Sequence, residues 1–281
     1  MTPQTEHSDT NSAPAPIDAR ALIGSANLFF ATFDCLRLDV ARRTLAEGRL
    51  PHLASVLPAS GWEARETPGT FTLPAHLAFF HGFLPTLLTP GPHPRLFALD
   101  FAGSLTIAPK TCVFSGVDNL LAGFRATGYR TFCVGGTGFF NKLNPLGLVL
   151  PGFFDESVWS PELGVAGRDS ARCQVDAALA FLGAVAPKQR VVLFVNFAAT
   201  HPPHGFYLAG EGKPDSIESQ AAALVSIDRE LPRLFAELRR RGPCLCLLMA
   251  DHGEAFGEDG RWGHRIAHPM VTTVPYAEFV L

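Results

Sequence analysis

The apolar positions of this chain fall into compact runs separated by amphipathic stretches. Ala26–Phe33 (ANLFFATF), Val191–Phe197 (VVLFVNF) and Cys244–Ala250 (CLCLLMA) are runs of strand length with almost no polar break, the pattern of strands covered on both faces. Tyr129–Val134, Trp62–Glu66 and Val274–Leu281 predict three further strands. Helical periodicity fills the intervals. Helices are predicted over Leu38–Glu47, stopped by Gly48, and over Pro51–Leu57, ended by Pro58. Pro74–His81 carries its proline in the first turn, where no hydrogen bond is lost. Val117–Thr127, ended by Gly128, and Ser170–Val185 are two more. Ile217–Arg241 is long and basic in its last turns, as the helix dipole favours. Phe83 to Thr111 holds five prolines and reads as an irregular excursion that shapes one wall of a pocket. Strands alternating with helices predict an α/β fold: a three-layer α/β/α sandwich with a mostly parallel central sheet. Residues 1–21 are polar and rich in Pro, Ser and Thr, and predict a flexible tail; residues 22–281 predict one catalytic domain.

Composition narrows the function classes. Charged residues are 17% and the net charge is -3, so nothing calls for a nucleic-acid partner. The first twenty residues have no basic start and no apolar core, unlike a signal peptide, and no apolar run approaches the length that spans a bilayer. A cytoplasmic location and no stable membrane insertion are the expectations. The six cysteines match no zinc spacing and read as buried thiols. Ten histidines against four lysines are the compositional anomaly, and the question is whether they form a site.

The residues immediately after the buried runs answer it. Asp34 comes after the first, His201 after the second by way of a short loop, and Asp251-His252-Gly253-Glu254 after the third. Ligands bind outside the carboxyl ends of the strands in an open α/β sheet, so a parallel sheet gathers these residues on one edge. Asp and His are ligand types for Zn or Mn. Trp262-Gly263-His264 adds an imidazole twelve residues beyond His252, with Gly257 and Gly260 between to let the chain fold back. Thr72 stands at the start of the Pro74 helix. It is either a capping hydroxyl or a nucleophile that a nearby metal would activate, with the helix N-terminus suited to a phosphate.

Three blocks then resemble the alkaline phosphatase superfamily, and within it the sulfatase-like hydrolases and phosphoethanolamine transferases. They are Thr32-Phe33-Asp34-Cys35-Leu36-Arg37-Leu38-Asp39, Thr72-Leu73-Pro74-Ala75-His76 with Gly82 and Pro85, and Asp251-His252-Gly253-Glu254 running to His264; Thr200-His201-Pro202-Pro203 joins them. The resemblance implies that Asp34, Asp251 and His252 hold one metal with the Thr72 hydroxyl. His201 and His264 then hold a second metal or bind the transferred group, with His204 a further candidate. Thr72 attacks phosphorus and forms a covalent phospho-enzyme. His76, His204, Glu254, Arg265 and His268 are the expected substrate-binding residues. One or two divalent ions are implied, Zn or Mn ahead of Mg or Ca, with a small-molecule or lipid-headgroup phosphate ester as substrate.

The departures favour phosphate over sulfate. A formylglycine sulfatase needs Cys or Ser where this chain has Thr72, and Thr cannot become the aldehyde. His252 stands where the calcium site of sulfatases has Asn, and Cys35 where many have a second Asp. The expected activity is therefore a metal-dependent hydrolase or transferase acting on phosphate esters. A sulfatase, or a non-catalytic metal-binding relative, is the alternative.

Overall fold

The computed structural model describes residues 17–83, 97–98, 112–113, 119–210 and 212–281. Eleven strands are described: β1 (Asn27–Phe33), β2 (Glu63–Glu66), β3 (Phe97–Ala98), β4 (Cys112–Val113), β5 (Arg130–Val134), β6 (Glu156–Val158), β7 (Val191–Phe197), β8 (Cys244–Met249), β9 (Ala255–Phe256), β10 (Trp262–Gly263) and β11 (Thr273–Val280). Seven of them form the central sheet in the order β2-β11-β8-β1-β7-β5-β6. The run β8-β1-β7-β5-β6 is parallel throughout, and β11 pairs antiparallel with both β8 and β2. The three apolar runs of the sequence are thus the three adjacent strands at the sheet centre, with Thr32 of β1 level with Asn196 of β7 and Met249 of β8.

The helices are α1 (Ala19–Leu22), α2 (Leu38–Ala46), α3 (Pro51–Ala54), α4 (Thr72–His81), α5 (Leu120–Ala126), α6 (Ser170–Ala184), α7 (Ile217–Arg240) and α8 (Pro269–Thr272). They cover both faces of the sheet. Phe29, Ala31 and Phe33 of β1 pack in one core with side chains of α2, α3, α6 and α7. Leu28 and Phe30, on the other side of the pleat, pack with α4 and α5. The second core is aromatic. Phe194 meets Phe30, Phe80, Phe140 and Phe154 with centroids 5.3–5.7 Å apart. Such pairs contribute about 0.5–1.5 kcal/mol each beyond their buried area. The three-layer expectation and the mostly parallel sheet hold.

Some boundaries move. Helix α5 starts at Leu120 behind Asn119, whose side chain accepts the Ala122 N–H and so sets the start. The strand β6 and the β9–β10 hairpin were not expected; each is too short for a periodic signal. The described chain begins at Ile17, so most of the expected tail lies outside the described residues, as does most of the proline-rich excursion expected to wall a pocket. Of that excursion, Phe97–Ala98 pairs in parallel with Cys112–Val113.

Candidate metal centre

β1, β7 and β8 run the same way side by side, so their carboxyl ends deliver Asp34, His201 and Asp251-His252 to one place. Asp34, Asp251 and His252 have donor atoms all within 4.8 Å of one another. All three residues are fully buried. His252 Nε2 lies 3.6 Å from Asp34 Oδ1 and 3.5 Å from Asp251 Oδ2. Its Nδ1–H donates to the Gly253 carbonyl at 2.9 Å, which fixes the tautomer and leaves Nε2 with a lone pair toward the carboxylates. His201 is held likewise, with Nδ1 on the Pro202 carbonyl. His264 gives its Nδ1–H to Glu254 Oε2 at 2.6 Å. The His264 ring stands 4.7 Å from that of His252 and 5.6 Å from that of His201.

The carboxylates are supported from below. Asn196 donates from Nδ2 to Asp34 Oδ2 at 2.9 Å and to Thr32 Oγ1 at 3.1 Å. Asp251 Oδ1 accepts the backbone N–H groups of Cys35 and His252. Among the described residues, Asp34 Oδ1 and Asp251 Oδ2 have no hydrogen-bond partner. Two buried carboxylates with a free oxygen each, facing one imidazole lone pair, cost several kcal/mol unless a cation joins them. Burial raises the Asp34 carboxyl, but the imidazoles of His201 and His252 and the Asn196 amide outweigh it and hold it below its ordinary value. Burial and the charge of Asp34 push Asp251 well up. Burial also pushes His252 down to about 3, so the imidazole stays neutral and fit to ligate. The donor set fits a divalent metal.

Thr72 adds the hydroxyl. It is the first residue of α4 rather than its cap: Phe71 occupies the capping position, and no side chain caps the helix. The hydroxyl is free of that role and lies 3.4 Å from Asp34 Oδ2. The ten-residue helix ends on Gly82 at φ 69°, a left-handed position that glycine adopts without strain.

Four residues expected at the substrate are placed elsewhere. His76, one turn into α4, is fully buried beneath Thr72. Its Nδ1–H donates to the Thr72 carbonyl at 2.7 Å, its Nε2 lies 3.0 Å from the Thr32 hydroxyl, and its ring packs on Phe140 and Phe194. It positions Thr72 and cannot meet a substrate. His204 is fully buried, with Nδ1 2.7 Å from Ser219 Oγ and its ring edge-on to Phe256. Its loop turned the side chain inward, toward α7. His268 caps α8, accepting the Met270 N–H and reaching Asp259. Glu254 is 5% exposed and engaged by His264. Arg265 is exposed, with its guanidinium 5.4 Å over the Phe71 ring next to Thr72, and keeps its place as a candidate.

Two supporting residues escaped the sequence. Asn196 is the one strongly polar side chain in VVLFVNF, and that break was its signal. Gln220, fully buried on α7, donates to the carbonyls of Cys35 and Thr200 and accepts the Arg37 N–H. It ties two of the strand ends together. A polar side chain on the buried face of an amphipathic helix was the trace it left.

Gly253 packs so closely under α8 that an added Cβ would lie 2.0 Å from the Met270 carbonyl oxygen. Gly253→Ala is expected to cost roughly 1–3 kcal/mol through the forced backbone shift. The shift displaces His252, so denaturant midpoints and metal affinity measured on the same variant should fall together.

No protein-family model matches the sequence, and neither does any curated protein. Solved structures do resemble it. The C-terminal periplasmic domain of a phosphoethanolamine transferase from Campylobacter jejuni superposes with a TM-score of 0.60 at 12% identity, over 91% of this chain and 79% of that one. The soluble domain of lipooligosaccharide phosphoethanolamine transferase A from Neisseria meningitidis gives 0.59 at 16% identity, over 91% and 77%. An alkaline phosphatase superfamily protein from Vibrio parahaemolyticus gives 0.55 at 15% identity, over 90% and 60%. The expected cytoplasmic location does not stand: the Campylobacter domain with this architecture is periplasmic. Among the described residues no helix is long and apolar enough to cross a membrane. The chain shares its fold with these phosphoethanolamine transferase domains and with the alkaline phosphatase superfamily protein.

Proposed function

We propose that this domain is a metal-dependent phosphoryl-group hydrolase or transferase acting on small-molecule or lipid-headgroup phosphate esters outside the cytoplasm. The observation that carries the reading is the Thr72 hydroxyl 3.4 Å from Asp34 within the buried Asp34–Asp251–His252 cluster, whose Asp34 Oδ1 and Asp251 Oδ2 have no hydrogen-bond partner among the described residues. Asp34, Thr72, Asp251 and His252 would hold one divalent ion, and His201 and His264 a second ion or the transferred group. An ion there supplies Lewis acidity, lowering the pKa of a bound hydroxyl and neutralising charge on phosphate oxygens.

The chain's own residues do the rest. Thr72 Oγ1 forms the bond to phosphorus as the bond to the leaving oxygen breaks, and its proton lies toward Asp34 Oδ2. Asn196 keeps Asp34 oriented to receive it. His264, steadied by Glu254, carries the proton that the leaving oxygen needs. Water or an acceptor hydroxyl then displaces Thr72 from phosphorus, and the proton returns to Thr72. His76 fixes the helix start from which Thr72 projects.

The test is turnover of p-nitrophenyl phosphate, its diester and p-nitrophenyl sulfate by the purified protein with Zn or Mn. Phosphate turnover that disappears with a chelator and returns with metal is the expected result. Sulfate turnover above phosphate turnover, or none on any ester with metal bound, overturns the reading. Asp251→Asn removes one carboxylate charge and is expected to weaken metal binding on the order of 100-fold or more, read by a competing chelator dye.

A further inference from the structure

Cys35 follows Asp34 at the end of β1 and has no part in the chemistry above. Its side chain is fully buried and points into the donor cluster. Asp34, Cys35 and His201 have donor atoms all within 4.8 Å of one another, and so do Cys35, His252 and His264. The sulfur is common to both groups. It lies 3.9 Å from His252 Nε2; the His264 Nδ1, 3.7 Å away, carries the proton given to Glu254 and is no donor to an ion. With metal–sulfur and metal–nitrogen bonds of about 2.3 and 2.05 Å at a tetrahedral angle, two ligands on one zinc are about 3.6 Å apart. The spacing in the site is close to that.

Two further observations point to a ligand here. Asp34 Oδ1, fully buried, has no hydrogen-bond partner among the described residues. His201 spends its Nδ1 on the Pro202 carbonyl, which leaves Nε2 as the donor it brings to Asp34 and Cys35. The Asp34–Cys35–His201 set stands beside the Asp34–Asp251–His252 set and shares Asp34 with it. Thiolate sulfur is a soft ligand that favours zinc over Mn or Mg, whereas the carboxylates discriminate little.

We propose that Cys35 is a metal-ligating thiol: with Asp34 and His201 it closes a second, sulfur-containing donor set that makes the site selective for a thiophilic divalent ion such as zinc. This rests on the metal-centre reading above. On binding, the sulfur–metal bond forms and the thiol proton leaves to solvent; no electron changes hands.

Cobalt(II) reports on the ligands directly. Protein loaded with cobalt is expected to show an intense near-ultraviolet sulfur-to-cobalt band besides the visible bands of the bound ion. Cys35→Ser should lose the former and keep the latter, and should bind zinc about tenfold or more weakly with little change for manganese. Zinc-edge X-ray absorption on the unaltered protein needs no variant, and should find a scatterer near 2.3 Å beside those at about 2.0–2.1 Å. Visible bands with no sulfur band, a sulfur band unchanged in Cys35→Ser, or only light-atom scatterers would overturn the assignment of Cys35 and leave the metal centre intact. Absence of the visible bands would overturn both.

Discussion

Thr72→Ala is expected to lower phosphate-ester turnover by on the order of 10⁴-fold or more, since a nucleophile that acts with its activating groups costs about as much to remove as the whole unit. Thr72 is 3% exposed and its hydroxyl makes no capping bond, so the alanine variant should fold with α4 intact. Its hydroxyl meets one carboxylate oxygen at 3.4 Å, a weak contact worth little to stability. Activity and stability should therefore separate: turnover collapses while the denaturant midpoint barely moves. Thr72→Ser keeps the oxygen and loses only a methyl group, and should retain measurable turnover. With wild-type protein, acid quenching during turnover should trap phosphate on the peptide containing Thr72. An alanine variant with turnover near wild type would exclude the covalent route and leave the metal centre to activate water directly.

Metal-free protein is expected to lose stability steeply in mild acid. Burial pushes His76 and His204 down to about 4 and His252 to about 3. Their unfolded values are about 6.5. Above that pH all three are neutral in both states, and the stability tied to the neutral form is fully present. Below it the unfolded chain takes up three protons that the folded chain refuses until its own lower values are reached. Stability thus falls as pH drops from about 6.5 to about 4. Asp251 works in the opposite sense, because its raised carboxyl takes a proton in the folded state first. Asp228, likewise raised by burial, opposes in the same way; the three histidines outnumber these two carboxyls, so the net effect is a loss of stability toward acid. Urea midpoints in chelator at pH 7, 6 and 5 test this. His76→Gln and His204→Gln should each remove about one proton from the slope. A midpoint that stays level between pH 7 and 5 would refute the account.

The sheet and the clustering of the candidate donors were legible because each central strand is a nearly unbroken apolar run with a polar residue at or soon after its end. Apolar content gives a strand buried on both faces, burial on both faces gives a parallel centre, and a parallel centre brings three strand ends together. Thr72 and His264 stood out by residue type and spacing, but their roles came only with the resemblance, since sequence distance alone does not say where α4 starts or how far the β9–β10 hairpin turns back. The histidines expected at the substrate fail for one physical reason: nearness in sequence to a ligand does not fix side-chain direction. His76 lies four residues after Thr72 and so shares its helical face, yet one turn further in that face meets Phe194 rather than solvent. His204 sits in the loop that carries His201, but Asp215 takes the His204 and Gly205 N–H groups and turns that loop inward. Cys35 was set among the buried thiols on the habits of cysteine, and it is buried; what the sequence does not display is that its neighbours are two aspartates and three imidazoles.

The pairing of β8 along β1 has a consequence for biogenesis. Asp34 and Asp251 come from opposite ends of the described chain and become neighbours only through that ladder. During synthesis the first carboxylate waits, without a partner, while more than two hundred residues are made. Such long-range closure is slow and comes late. Ion capture at this candidate site would therefore report the β1–β8 ladder: a nascent or half-paired chain holds single donors with weak affinity, and the donor set is completed as β8 pairs with β1.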